Sequence, residues 1–179
     1  MKGIVFTEFL EMVEEKFGIE MIDAILDESA LSSDGVYTAV GTYDFSEMVI
    51  LLTNLSEKTA IPIDDLLHEY GRYFFATLEQ GHKDIFNYYK DAFAFLSSIE
   101  SHIHVHVRKI YPDAELPYFD VKQHNESKLV LAYHSERAMA NFGLGLIEKT
   151  IAYYKEPISV AVEKLDETGK KVLFTLVKE

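Results

Sequence analysis

The chain has 179 residues, 48% of them hydrophobic, with 12 Phe, 11 Tyr and no Trp; this is enough for one domain, or two subdomains sharing a core, with room for a large ligand. A net charge of −13, from 30 acidic against 17 basic side chains, argues against nonspecific nucleic-acid binding, because a polyanion is repelled over most of such a surface. The absence of cysteine excludes disulfides, iron–sulfur clusters and thiolate-ligated metals, so a metal can be held only by His, carboxylate, Met or Tyr.

The first 17 residues read as an amphipathic helix, with Val5, Phe9, Met12, Val13 and Phe17 on one face and Glu8, Glu11, Glu14 and Glu15 opposite. There is neither the basic start nor the apolar stretch of a signal peptide, and no apolar run nears the roughly 20 residues that span a bilayer, so a cytoplasmic protein with no membrane partner is expected. Gly18 ends the helix, a short second helix is expected over 20–28, and 29–42 is a loop turning at Ser32-Ser33-Asp34-Gly35. Asp44 is placed to cap a helix over 47–59, with Met48, Leu51, Leu52 and Leu55 inward. Pro62 marks a boundary, Asp64 is expected to cap the next helix over 66–80, and Gly81 stops it. The segments before Pro62 carry few candidate ligands, so 1–61 is expected to form a helical cap over a site built by 62–179.

From 84 to 110, Ile85, Tyr89, Ala92, Leu96, Ile99, Ile103, Val107 and Ile110 step by three or four, which predicts one long helix. A loop follows from Tyr111 to Pro117, its two prolines disfavouring helix in the residues before them. The period then changes to two. Residues 118–124 and 128–133 form a hairpin about Asn125-Glu126, a helix runs over 139–154, and 158–165 pairs with 171–177 about Glu167-Thr168-Gly169. The fold class is α+β: mostly helical, with a helical N-terminal subdomain over a C-terminal subdomain of helices and a four-stranded antiparallel sheet.

Two groups of residues carry chemistry. His102, His104 and His106 on a strand would share a face, a three-imidazole zinc site suited to a hydrolase with a carboxylate such as Glu100 as general base. On a helix they separate: His102 and His106 are i and i+4 neighbours on one flank, and His104 lies on the other beside Val107 and Ser101. The helical period weakens the three-histidine site without choosing among the three, and a buried, hydrogen-bonded histidine is the commonplace alternative. The second group is Tyr133-x-Ser135-x-Arg137. If the strand continues, two hydroxyls and a guanidinium converge on one face, an arrangement suited to a pair of carboxylates. The alternatives are a solvated strand end with Arg137 paired to Glu136, or a metal-free module for another amphipathic carboxylate.

The histidine cluster ahead of Tyr111-Pro112 and Leu116-Pro117, followed by Tyr133-x-Ser135-x-Arg137, resembles the haem nitric oxide/oxygen-binding sensor family, which includes the haem domain of soluble guanylate cyclase. The resemblance spans the chain, from Met1-Lys2-Gly3 through Gly71-Arg72 to Gly145-Leu146-Ile147-Glu148. It implies a b-type haem buried between the subdomains. His104, eight residues before Pro112, becomes the axial iron ligand; Tyr133, Ser135 and Arg137 clamp the propionates, and Pro117 presses on the porphyrin. The gas side is then lined by Val5, Phe9, Phe74, Leu78, Phe142 and Leu146, with Phe142 where oxygen-binding members carry a tyrosine donor. None of these side chains can donate a hydrogen bond. Dioxygen needs such a donor, worth about 1.5–3 kcal/mol to a charged acceptor, whereas nitric oxide depends far less on one. The resemblance therefore implies an NO sensor that discriminates against O2, takes CO in vitro and catalyses nothing. It would signal by releasing the His104 helix to a separate histidine kinase or cyclic-di-GMP enzyme.

Overall fold

Apolar residues recurring at three and four positions wind the first two-thirds of the chain into helices, and the alternating final third forms most of a sheet. The computed structural model describes all 179 residues. Helix α1 (Gly3–Phe17) buries Phe6, Phe9, Met12 and Val13, and Gly18, at φ +87°, turns the chain into α2 (Ile19–Asp27). In α3 (Phe45–Thr59) the expected cap is present: Asp44 accepts the Ser46 N–H at 2.8 Å. The loop ahead of it is held from inside by Glu47, only 3% exposed, which accepts from the hydroxyls of Ser32, Ser33 and Tyr37. Burial works to raise the pKa of this carboxyl; the three hydroxyls outweigh it and hold the group below its usual range.

Helix α4 (Ile63–Gly81) corrects one expectation. Its cap is Pro62, whose carbonyl accepts the N–H groups of Asp65 and Leu66 at 3.0 Å each, and Asp64 lies in the first turn, where it complements the helix dipole.

The single helix expected over 84–110 is a second correction: it is four pieces. Helix α5 (Lys83–Tyr88) ends where Tyr89 turns extended, and Asp91 starts α6 (Ala92–Ser97) by accepting the Ala94 N–H at 2.7 Å. A π-turn (Ile99–Ile103) then leads into α7 (His104–Ile110), the Ser98 carbonyl accepting from both His102 and Ile103 at 2.8 and 3.2 Å. The apolar spacing survives these breaks because each piece packs on the same core. The phase does not survive, and the wider π-turn delivers His104 to the interior.

Strands β1 (Tyr118–His124), β2 (Lys128–His134), β3 (Ile158–Lys164) and β4 (Lys171–Lys178) form one antiparallel sheet in the order β1-β2-β4-β3. Helix α8 (Ala140–Tyr154) joins β2 to β3 and packs on α4. Buried side chains form two clusters, one on the sheet with α5, α6 and α8, the other among α1 to α4 with Met139. Helix α4 serves both, giving Leu66, Leu67, Tyr70 and Phe74 to the second and Phe75 to the first.

The α4–α8 crossing leaves no room for side chains at its centre. A Cβ at Gly71 would lie 2.1 Å from the Phe142 carbonyl oxygen, and one at Gly145 would lie 2.3 Å from the His68 oxygen and 2.7 Å from the Arg72 nitrogen. Outside the contact, Glu148 accepts from both His68 and Arg72 at 2.9 Å. The blocking atoms at Gly145 are backbone and cannot swing aside. Gly145→Ala is therefore expected to cost about 1–3 kcal/mol, as overpacking does, and to lower the midpoint of a circular-dichroism melt by several degrees.

Candidate functional site

The π-turn places His104 at the start of α7 with 8% of its surface exposed. Its Nδ1 lies 2.8 Å from Glu100 Oε1, and the Phe119 N–H donates to the same oxygen at 2.9 Å. Burial lowers the pKa of the imidazole, outweighing Glu100, so the ring is neutral and the contact is a hydrogen bond more than an ion pair. The shared oxygen already accepts from an amide, so Nδ1 carries the ring proton and Nε2 keeps its lone pair. Nε2 has no protein partner, and no side-chain nitrogen or oxygen sealed from solvent lacks one, so Nε2 faces accessible space. That is the condition of a histidine ready to ligate.

The other two histidines are employed elsewhere. His102 Nδ1 meets the Tyr89 hydroxyl at 2.5 Å, and His106 stands edge-on to His82, ring centroids 5.4 Å apart. No group of three His, Asp or Glu side chains is placed to hold a metal, so the zinc-hydrolase alternative has no site.

Tyr133, on β2, pairs with Phe119 of β1 and is 2% exposed; its hydroxyl accepts the Met139 N–H at 3.1 Å. Burial raises its pKa, keeping the hydroxyl protonated. The Phe119 ring is near both Tyr133, at 5.5 Å between ring centroids, and His104, at 6.1 Å. The strand does not continue through Ser135 and Arg137 as expected. It ends at His134, and the chain turns at 135–138, with Ser135 Oγ accepting the Arg137 N–H at 3.2 Å and Ala138 at φ +50°. Strand alternation therefore does not align the three side chains; a turn that bends back on β2 brings Ser135 and Arg137 near its end.

Arg137 donates to the Glu115 carbonyl at 2.8 Å and to the Glu115 carboxylate, and its guanidinium lies 5.5 Å from the Phe45 ring centre. The fork is already engaged as a carboxylate grip. Its partner is a surface residue, the Glu115 side chain being 81% exposed against 18% for Arg137. A cleft of about 530 Å³ opens here, lined by Thr42, Tyr43, Asp44, Phe45, Asp113, Glu115 and Arg137 among others. A larger cleft of about 1040 Å³ between α1, α4 and α8 contains none of the predicted site residues.

Of the other predicted residues, Phe9 and Phe74 are buried, while Val5, Leu78, Phe142, Leu146 and Pro117 are half-buried. Leu78 and Leu146 pack against both clusters, which puts this apolar wall at the seam between them. Tyr70 was missed. Its ring lies 5.4, 5.8 and 5.0 Å from those of Phe9, Phe74 and Phe142, and its hydroxyl donates to the Val5 carbonyl at 2.5 Å. The sequence signals its helix face and not the destination of its proton. From the sequence Glu100 has a role only as base of the zinc-site alternative, although its place four residues before His104 is itself a pairing signal on a helix.

These residues fit haem: a neutral imidazole with a free lone pair, a cationic fork with hydroxyls for two carboxylates, and an apolar seam for a flat ring. Fold and donor set together define a haem-based gas-sensor domain. The chain belongs to the Haem-NO-binding family, whose model matches residues 2–162. Over its whole length it is similar to the Fe(II) unliganded H-NOX protein of K. algicida, at 51% identity, covering 97% of that chain with a TM-score of 0.97. It is similar at 37% identity to the H-NOX of Shewanella woodyi, solved bound to IWP-051 in the Fe(II)CO state; all of this chain and 95% of that one align, TM-score 0.84. The H-NOX of S. oneidensis in the Fe(II)NO state, 23% identical with 100% and 99% coverage and a TM-score of 0.90, shares the fold. No curated protein matches the sequence. No helix is long and apolar enough to cross a membrane.

Lys2, the N-cap residue of α1, donates to the Val40 carbonyl, the Thr42 hydroxyl and Asp113 at 2.9–3.3 Å, and the Thr42 hydroxyl donates to Asp113 at 2.7 Å, tying the start of α1 to the loop after α7. Thr42 and Lys2 hold the Asp113 carboxyl well below its usual value, at about 2. A depressed carboxyl stabilises the fold above its unfolded pKa and loses that contribution as pH falls through the folded one. A carbon NMR titration of Asp113 should accordingly find the tie intact at pH 4 and lost around pH 2, and Lys2→Met should move the midpoint up towards that of a free aspartate.

Proposed function

We propose that this chain is a nitric oxide sensor that excludes dioxygen. His104 is the axial ligand of a b-type haem, Tyr133, Ser135 and Arg137 hold its propionates, and Pro117 packs against its ring. Val5, Phe9, Phe74, Leu78, Phe142 and Leu146 face the gas, with residues 1–61 as the cap over that side. The haem supplies a ferrous iron able to take up a diatomic ligand opposite His104.

The observation that carries the reading is His104: buried, neutral, its Nδ1 fixed on Glu100 and its Nε2 without a protein partner, sharing the neighbour Phe119 with the tyrosine of the clamp. Selectivity follows from what the seam lacks. Phe142 and its five companions offer no donor, and the Tyr70 hydroxyl, whose ring packs on Phe9, Phe74 and Phe142, gives its proton to the Val5 carbonyl. Dioxygen thereby forgoes about 1.5–3 kcal/mol of hydrogen bonding that NO does not require.

Signalling follows from where His104 sits. It is the first residue of α7, and the π-turn before it is a rare kind of joint that recurs at functional sites. With a haem held by His104, uptake of NO would loosen that hold and free α7 to shift. The following loop, tied to α1 through Lys2–Asp113 and to Arg137 through Glu115, carries that shift to the N-terminal helices. A ligand moves such an equilibrium only by its differential affinity for the two states, so α7 must differ in energy between them. The chain senses and does not catalyse, acts in the cytoplasm, and passes its signal to a histidine kinase or cyclic-di-GMP enzyme.

The test is spectral. Purified ferrous protein is expected to show the Soret band of histidine-ligated haem, shift it with NO and with CO, and form no stable complex in air; a lasting oxygen spectrum sinks the selectivity reading. His104→Gly, supplied with imidazole to retain haem and then dialysed free of it, is expected to reproduce the effect of NO on a partner kinase without NO. If that variant signals only when NO is added, release of His104 is not the switch.

A further inference from the structure

One carboxylate oxygen sits between the imidazole and the sheet. Glu100 Oε1 accepts from His104 Nδ1 at 2.8 Å and from the Phe119 N–H at 2.9 Å. Glu100 belongs to the π-turn and Phe119 to β1, opposite Tyr133. Resting on the sensor reading above, we infer that Glu100 is a positioning residue that sets the strength of the bond from His104 to iron, and through it the ease with which NO breaks that bond.

The chemistry runs through the ring. A carboxylate accepting from Nδ1–H fixes the tautomer and the rotation of the imidazole, and it pushes electron density towards Nε2, making that nitrogen a stronger donor to a metal. Hydrogen bonds with an ionised partner are about twice as strong as neutral ones. Water competes little for this one, since the side chains of His104 and Glu100 are 10% and 25% exposed. The Phe119 amide holds the carboxylate in turn, so Glu100 cannot simply follow the ring when α7 moves. The sheet that carries Tyr133 of the clamp thus also sets the orientation of the ligating imidazole. A strong, well-oriented bond from His104 raises the threshold at which NO releases the helix; a weakened one lowers it.

Glu100→Ala removes the acceptor, and Glu100→Gln keeps a carbonyl oxygen while removing the charge. In ferrous protein loaded with haem, the iron–histidine stretch in resonance Raman spectra is expected to fall to lower frequency in Glu100→Ala and by less in Glu100→Gln. The fraction of NO-treated protein that has lost the His104 bond should rise in the same order. Haem loss should quicken towards the roughly 10–100-fold typical of lost outer partners of a metal-bound histidine. A readout independent of haem is the nitrogen NMR of His104 in protein grown without it: Nδ1–H alone in the wild type, a mixture of tautomers in Glu100→Ala. Should Glu100→Ala fail to fold, the near-isosteric Glu100→Gln carries the test by itself. Variants with a normal Soret band and an unmoved iron–histidine stretch overturn the role of Glu100 and leave the sensor reading standing. A wild-type protein with no Soret band overturns both.

Discussion

The rest of the structure depends on the crossing of α4 over α8, where two backbones touch with no side chain between them. Gly71 lies against the Phe142 carbonyl and Gly145 against the His68 carbonyl, close enough that neither site has space for a methyl group. This contact sets the distance between the two hydrophobic clusters, because α4 feeds both and α8 meets both through Leu146. It also decides what faces the seam. Phe74 and Leu78 come from one helix of the pair, Phe142 and Leu146 from the other, so four of the six wall residues are positioned by a single backbone contact.

An acidic chain has few cations to spend, and the structure shows where two of them go. Lys2 collects the Val40 carbonyl, Thr42 and Asp113, and Arg137 collects the backbone and carboxylate of Glu115. Both reach the loop between α7 and β1. The segment that follows His104 is thus held from two sides, by the N-terminal helix and by the turn after β2. Exposed ion pairs elsewhere, such as Lys122 with Asp120, stabilise little. These two matter for their place in the fold: they fasten the loop that follows α7 to the N-terminus of α1 and to the turn after β2.

Much of this was legible in the residues, and the misses have physical causes. Asp44 was readable as a cap because its side chain serves its own helix end. Asp64 was not, because the Pro62 carbonyl takes the two free amides first. The apolar stripe from Ile85 to Ile110 reports a shared buried face; it is blind to the break at Tyr89 and to the extra residue in the π-turn, which alter phase without altering spacing. The histidines show the consequence: helical spacing left the three open, family register singled out His104, and the π-turn is the local reason that it points inward. Strand alternation misplaced Ser135 and Arg137 because β2 stops at His134. Tyr70 escaped notice because a hydroxyl bound to a carbonyl of another helix leaves no trace in either segment.

The strand order carries a practical consequence. Although β4 is the final strand of the chain, it occupies an inner position, bonded to β2 on one side and β3 on the other. The part of the chain that the family model matches stops at residue 162, ahead of β4. A shortened protein trimmed to that limit would not lose a dispensable tail; it would strip Val172, Phe174 and Leu176 from the core and leave two strands with bare edges, open to pairing with other molecules. On a ribosome the same geometry makes the sheet wait until β4 has emerged, so the half-built domain must be kept from aggregating until then.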